Sequence, residues 1–177
     1  MNPPFLPEQF DVVICLGVIQ HTSNPEATIK KLFDQCKTGG FIVFDHYRPE
    51  IKRLTKLGFI LRPFVKRLKP RAKFNVIQLL VTIFFPVHRL IRNIPFAQQV
   101  FSRISPITTY FHVYPELSPK LQREWSLLDT HDGLTDYYKH YRTPKQIEKL
   151  LQSLNATEIS VNIGGNGIEA TCYKGSC

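Results

Sequence analysis

Phe10-Asp-Val-Val-Ile-Cys-Leu16, continuing as Gly-Val-Ile-Gln-His-Thr-Ser-Asn-Pro-Glu26, is the stretch from which the rest of the chain is read. Its first seven residues form a short apolar run rich in β-branched side chains. Such a run predicts a strand buried on both faces, as in a parallel sheet covered by helices. Asn24 is then placed to cap a helix with Pro25 as its first residue. Ile29, Leu32, Phe33 and Cys36 follow at i, i+3, i+4 and i+7 and give that helix one apolar stripe. Gly39-Gly40 is expected to stop it. Phe41-Ile-Val-Phe44 reads as the next buried strand. Strand, helix and strand in this order make one right-handed crossover unit of a parallel sheet.

Working outward, the far end of the chain resumes this rhythm. Pro144 opens a helix in which Ile147, Leu150, Leu151 and Leu154 share a face. Ile159, Val161 and Ile163 then alternate with polar residues, as do Ala170 and Cys172. Gly164-Gly-Asn-Gly167 between them supplies the positive-φ positions of a tight hairpin. An antiparallel pair is therefore expected beside the parallel strands. The middle of the chain breaks the pattern, with Leu/Phe/Ile-rich stretches interrupted at Pro63, Pro70, Pro86, Pro95 and Pro106. Within it, Ser118-Pro119 is expected to cap a helix to about Leu128, with Leu121, Trp125 and Leu128 inward.

Charge separates the middle from the ends. The chain carries a formal +9, yet from Arg48 to Arg103 there are 13 Lys/Arg against the single acid Glu50. The remaining residues carry 10 Lys/Arg against 13 Asp/Glu, so a mildly acidic domain holds one strongly basic insert. With 43% hydrophobic residues the composition is that of a folded protein. The four cysteines, Cys15, Cys36, Cys172 and Cys177, form no CxxC pair, and the six histidines are scattered. No metal site is expected. No signal peptide is read in residues 1–9, and a reducing cytoplasm is the expected compartment.

Burial raises a further expectation. A strand as apolar as Phe10–Leu16 needs hydrogen-bonded neighbours and helices over both faces, and one crossover unit does not supply them. Partners are expected from residues absent here, from another chain or from the insert; the first is the simplest, and it makes the chain the C-terminal part of a longer protein, with Met1 an internal or truncated start.

These residues resemble a family. Phe10 to Glu26 is similar to the fourth strand and following loop of class I S-adenosylmethionine-dependent methyltransferases, whose pattern is FDVV, then V-L-x-H and a turn into a helix. Lys37-Thr-Gly-Gly-Phe-Ile-Val-Phe44 resembles the family's K-P-G-G turn and fifth strand, with Thr38 in place of proline. The terminal helix and hairpin resemble its sixth and seventh strands. Leu128 to Tyr138 resembles a bacterial subgroup with a long insert after the fifth strand. The resemblance implies an α/β Rossmann-like methyltransferase sheet, partial because the N-terminal strands are absent, ending in an antiparallel β-hairpin. Residues 1–46 would be partial core, 47–142 a mainly helical basic insert or lid, and 143–177 the closing helix and hairpin. The family's acidic glycine-rich loop has no counterpart here, since Gly39-Gly40 follows a helix and Gly164–Gly167 joins two alternating strands.

In open parallel sheets ligands sit at the carboxyl ends of the strands. By resemblance, Leu16, Gly17 and Val18 would line the S-adenosylmethionine pocket. His21 would lie near the reacting methyl, orienting substrate or accepting a proton; a loop-fixing hydrogen bond is the competing reading. Asp45, His46 and Tyr47 lie next to it on the acceptor side, Asp45 and His46 either as a polar pair or simply solvated. Asp129, His131, Asp132 and Tyr138 form a second polar group on the substrate side, or else acids that cap a helix. The acceptor would be a small molecule or lipid-like. The uncharged run Phe74–Val87 falls short of the ~20 apolar residues that span a bilayer, and Pro86 interrupts it. Residues 62–103 could instead contact an anionic membrane peripherally, on the inner face, or form a lid. Nucleic acid is disfavoured, because the aromatics are not interleaved with the charges. The competing class is non-enzymatic: a cofactor-free remnant or a membrane-surface module.

Overall fold

The computed structural model describes residues 5–50, 57–165 and 167–176, and these divide into two compact units. One is built from both ends of the chain, up to Pro49 and from Tyr138 onward; the other is Glu50–Tyr137. Tyr47 and residues 138–142 thus belong to the unit formed by the chain ends, just inside the limits read for the insert.

The first unit is a four-stranded mixed sheet in the order β1-β2-β4-β3: β1 is Phe10–Cys15, β2 Cys36–His46, β3 Ala156–Asn162 and β4 Ile168–Lys174. β1 and β2 are parallel, and β4 runs antiparallel to both β2 and β3. This is the partial Rossmann-like α/β sheet with a closing hairpin. Helix α1, Pro25–Gln35, follows the expected logic: the Asn24 side chain accepts the Ala27 N–H, and Pro25 occupies the first turn where no N–H is needed. Thr143 and Gln146 form a reciprocal capping box at the next helix of this unit, Pro144–Ser153. Ile29 and Phe33 from α1, and Ile147 and Leu151 from that helix, bury against Ile42, Phe44, Ala170 and Cys172. Both helices therefore cover one and the same face.

The other face corrects the reading of Phe10–Leu16 as a strand buried on both sides. β1 is an edge strand, and Val12, Ile14 and Leu16 are 52%, 64% and 56% exposed. No helix among the described residues packs over them; their alternates Val13 and Cys15 reach the core. A second correction concerns Gly39-Gly40. The helix has already ended when Cys36 turns extended, and both glycines lie in an irregular stretch of β2. Gly39 has φ +78°, and a Cβ on Gly40 would meet Cys36 Sγ at 2.6 Å and Asp11 O at 2.9 Å, so the pair serves backbone approach and not helix termination. In the hairpin, Gly165 and Gly167 take positive φ, while Asn166 lies outside the described residues. Ile163 falls beyond β3 and is exposed. Glu158, itself at φ +50°, sits in a register shift that lets Ala156 and Ile159 both face inward.

The second unit is helical: α2 Leu57–Lys66, α3 Pro70–Ile91, α4 Pro95–Ile104 and α5 Pro119–Thr135, so that Pro144–Ser153 is α6. Lys52, Arg53 and Lys56 of the basic run lie outside the described residues. Here two expectations fail. Pro86 does not interrupt the apolar run, because α3 continues through it for 22 residues. An internal proline costs about 3 kcal/mol, and the burial of Ile77, Val81 and Phe85 along one stripe of the helix offsets it. α3 is, by length and composition only, long and apolar enough to cross a membrane. In α5, Leu121, Trp125 and Leu128 point outward, and the buried stripe is Gln122, Ser126, Thr130 and Leu134. The polar members are inside because backbone groups need them: Gln122 Nε2 donates to Tyr114 O at 2.6 Å, and Thr130 Oγ1 accepts the Thr108 N–H at 3.0 Å. Trp125 lies edge-on to Tyr110 and Tyr114. Arg62 donates to the Gly133 and Asp136 carbonyls, closing the C-terminus of α5.

One-sided cover gives the sheet two unequal faces. Leu151→Ala is expected to cost ~2–5 kcal/mol in chemical denaturation, whereas Ile14→Thr is expected to stay within about 0.5 kcal/mol of the parent. In the helical unit, His88 is buried between Gln98 Oε1 at 3.0 Å and Ser105 Oγ at 2.8 Å. Burial holds its imidazole below the ordinary pKa, with His112 adding to the shift and the Gln98 bond opposing it. The unfolded chain then takes up a proton before the folded one does, so stability is lost as pH falls below about 6.5. Fluorescence of Trp125, the chain's one tryptophan, is expected to show a lower unfolding midpoint at pH 5 than at pH 7.5. A midpoint that rises with acid contradicts this.

Candidate functional site

At the carboxyl ends of the parallel pair, β1 runs into the loop Leu16–Val18 and β2 ends in Asp45 and His46, with Tyr47 following. One bond ties the two ends together: the Gly17 N–H donates to Asp45 Oδ1 at 2.6 Å. Gly17 takes φ +71°, and a Cβ there would meet nothing within 4 Å, so the constraint is conformational and the space beside the loop is open. Leu16 and Val18 flank it and are exposed. Behind the loop, a single 3-10 turn, Ile19–His21, buries Ile19 and Gln20 completely. The Gln20 carbonyl accepts the His140 N–H, while its side-chain amide has no hydrogen-bond partner among the described residues.

His21 is half-buried between two tyrosines. Nδ1 lies 3.3 Å from Tyr138 O and Nε2 3.3 Å from the Tyr47 hydroxyl. A carbonyl only accepts, so the proton belongs on Nδ1, and Nε2 is left as the basic nitrogen receiving the Tyr47 O–H. The Tyr47 ring stands edge-on to His21, stacks on Tyr141 at 6.1 Å and carries Lys139 Nζ 5.3 Å from its centroid. Arg142 closes the group: its N–H donates to Tyr47 O, and its Nε to Glu26 Oε1 at 2.6 Å. That hydrogen bond lowers the Glu26 carboxyl pKa.

Asp45 and His46 form neither the pair nor the solvated groups considered above. Adjacent strand residues face opposite sides, and both are buried. Asp45 turns toward Gly17, and His46 turns to the helix-covered side, where Nδ1 donates to Tyr47 O at 2.9 Å and Nε2 has no partner among the described residues. Burial, its largest influence, lowers the His46 pKa. Asp129, His131 and Asp132 lie within α5 of the helical unit, so they do not cap a helix start, while Tyr138 belongs to the sheet unit. Burial and then the Asp132 charge raise the Asp129 carboxyl pKa. His131 Nδ1 is 3.4 Å from the Thr135 hydroxyl.

Lys139 to Arg142 were not singled out in the sequence. Their signal was the run Tyr137-Tyr-Lys-His-Tyr-Arg142, dense in aromatic and basic residues yet without helical or strand period. Tested against adenosylmethionine, the loop offers one wall: an open, apolar shelf at Leu16, Gly17 and Val18 suits a flat heterocycle. No glycine-rich loop or ribose-holding acid stands opposite it among the described residues, so the fit is to part of the cofactor only.

Comparison with known proteins bears on the same segment. Residues 1–44 match the family described as methyltransferase domain. The chain is 33% identical over 66 residues to a ubiquinone biosynthesis O-methyltransferase of Pseudomonas fluorescens (strain SBW25), a match covering 37% of this chain and 28% of that protein. It is 46% identical over 39 residues to a tRNA U34 carboxymethyltransferase of Helicobacter acinonychis (strain Sheeba), covering 22% and 15% respectively. The chain thus spans well under half the length of these relatives. Among solved structures, a possible exported protein from Bordetella parapertussis aligns over 96% of this chain and 40% of its own, with TM-score 0.40 and 14% identity. A putative methyltransferase from Bacillus halodurans C-125 aligns over 98% and 68%, with TM-score 0.33 and 11% identity. Both likenesses are too remote to add to the fold described above. Through the strand, histidine loop and capped helix that follow Phe10, the first 44 residues of the chain are similar to the methyltransferase-domain family.

Proposed function

We propose that this chain is the acceptor-side portion of an S-adenosylmethionine-dependent methyltransferase acting on a small-molecule or lipid-like acceptor. The observation that carries the reading is the Gly17–Asp45 bond, which holds the loop of the matched segment open at the carboxyl ends of two parallel strands. Bound there, adenosylmethionine would supply a methyl already activated by its sulfonium. What remains for the protein is to align the acceptor and exclude water. Leu16 and Val18 present apolar surface to the cofactor, and Gly17 lets the backbone come close.

His21 is given the proton-accepting role. Its Nδ1–H is fixed on the Tyr138 carbonyl, which orients the ring and leaves Nε2 basic. The Tyr47 hydroxyl on Nε2 marks where an acceptor O–H would sit, either displacing Tyr47 or relaying through it. The competing role, in which His21 only fixes its loop, rests on the same two bonds; both are long at 3.3 Å, which favours an exchangeable partner.

The open face of β1 sets the condition for activity. Val12, Ile14 and Leu16 are the surface that a further strand and helix of a methyltransferase domain would cover, and a glycine-rich loop on that portion would supply the missing cofactor wall. A cytoplasmic location for this chemistry is part of the proposal.

Calorimetric titration of this chain alone with adenosylmethionine is expected to give no saturable heat up to millimolar ligand. Addition in trans of a methyltransferase N-terminal portion that carries a glycine-rich loop is expected to give micromolar binding. In that complemented enzyme His21→Gln is expected to lower kcat ~10²–10⁴-fold and to flatten its pH profile. Absence of binding in both forms overturns the methyltransferase reading. A His21→Gln effect confined to the KM for adenosylmethionine assigns His21 to loop fixing instead.

A further inference from the structure

The helical unit leaves more apolar surface uncovered than its folding explains. α3 is apolar on nearly all sides, but only the stripe Ile77, Val81, Phe85 and His88 is buried. Leu79, Ile83, Val87 and Leu90 recur at i, i+4, i+8 and i+11 on another face, and all are exposed, Leu90 at 82%. A helix of an ordinary soluble domain shows charged or polar residues at such positions. α4 repeats the feature with Phe96, Val100 and Ile104, Phe96 being 77% exposed. Each apolar face is accompanied by cations. Residues 57–104 contain nine Lys/Arg and no Asp or Glu. Arg62 and Lys66 are spent on carbonyls at the end of α5. Arg67, Lys69, Arg71, Lys73, Arg89, Arg92 and Arg103 make no ion pair among the described residues. At the end of α3, Phe85, Pro86, Arg89, Leu90, Arg92 and Asn93 line one open concavity of about 420 Å³, so that apolar wall and guanidinium groups meet in one place.

We propose that this unit docks on the surface of an anionic phospholipid bilayer, with Leu79, Ile83, Val87 and Leu90 of α3 entering the acyl boundary and Arg89 and Arg92 meeting lipid phosphates. The charge decides between occupants. An apolar protein partner or a second copy of this chain would bring no charge or its own +9 against seven cations that have no ion pair among the described residues, whereas an anionic leaflet neutralises them while accepting the apolar stripe. The helix lies in the plane of the surface and does not span it. Spanning would strip Ile77, Val81 and Phe85 from their packing partners and break the hydrogen bonds of His88 to Gln98 and Ser105. The inference is independent of the methyltransferase reading, because the binding needs no cofactor and no sheet residue.

The test is co-sedimentation of the full chain with vesicles of phosphatidylcholine alone and of phosphatidylcholine with phosphatidylglycerol. Partitioning is expected to be at least ten-fold stronger on the anionic vesicles and to weaken in 1 M salt. Ile83→Glu/Leu90→Glu and, separately, Arg89→Gln/Arg92→Gln are each expected to reduce it at least five-fold with unchanged circular dichroism. Four results overturn the proposal: equal binding to both vesicle types; anionic binding that the two double variants leave intact; concentration-dependent self-association or duplex-DNA binding with no lipid binding; or carbonate-resistant insertion with protease protection, which would make α3 a spanning helix.

Discussion

β2 is the strand on which the sheet unit depends. It pairs with β1 on one side and β4 on the other, and its residues Ile42 and Phe44 are the floor on which α1 and α6 rest. Its opposite-facing Asp45 reaches under the β1 loop, and its last residues hand the chain to Tyr47. Core, loop and aromatic group are therefore consequences of one strand placed in register between a parallel and an antiparallel neighbour. The same arrangement creates the unit's unfinished feature, since two helices on one face leave Val12 and Ile14 to solvent on the other.

The uncovered surfaces of the two units differ in chemistry, and the difference suggests different partners. On β1 the exposed residues are β-branched and lie beside an unpaired strand edge, a surface that protein strands complete. On α3 and α4 they are long aliphatic and aromatic side chains edged by arginines, which suits a fluid, anionic surface. A methyltransferase portion held at a bilayer by its insert would meet a lipid-like acceptor where that acceptor is concentrated; this places the two proposals in one physical scheme while leaving each open to failure separately.

Legibility followed periodicity. The Asn24–Pro25 cap, the stripe Ile29–Phe33, the Thr143 capping residue's helix and the alternation through Val161 and Cys172 were all readable because local sequence and final burial agree there. Where they disagree, reading failed. Pro86 looked like a break, yet tertiary packing on the Ile77–Phe85 stripe outweighs a lost hydrogen bond. Leu121, Trp125 and Leu128 looked like a core stripe, yet the loop before α5 needs Gln122 and Thr130 as hydrogen-bond partners, which turns the apolar stripe outward. The strand-end positions of Leu16–Val18, His21 and Asp45–Tyr47 were legible from their place after apolar runs, whereas the burial of Asp45 and His46 was not. Lys139–Arg142 were not, because an irregular segment brings them to Tyr47 and Gln20 through backbone hydrogen bonds that no period announces.

The central physical claim is that, among the described residues, β1 stands uncovered, at an open edge and under an open face. Amide hydrogen exchange resolved by residue measures this directly. Over Phe41–Phe44 β2 has a bonded strand on each side, and protection close to the global unfolding free energy is expected there. The outward-facing amides of β1 are expected to exchange at near-unprotected rates in the same sample. Equal protection of β1 and β2 would show that something already covers the strand, and would contradict the account of an uncovered β1.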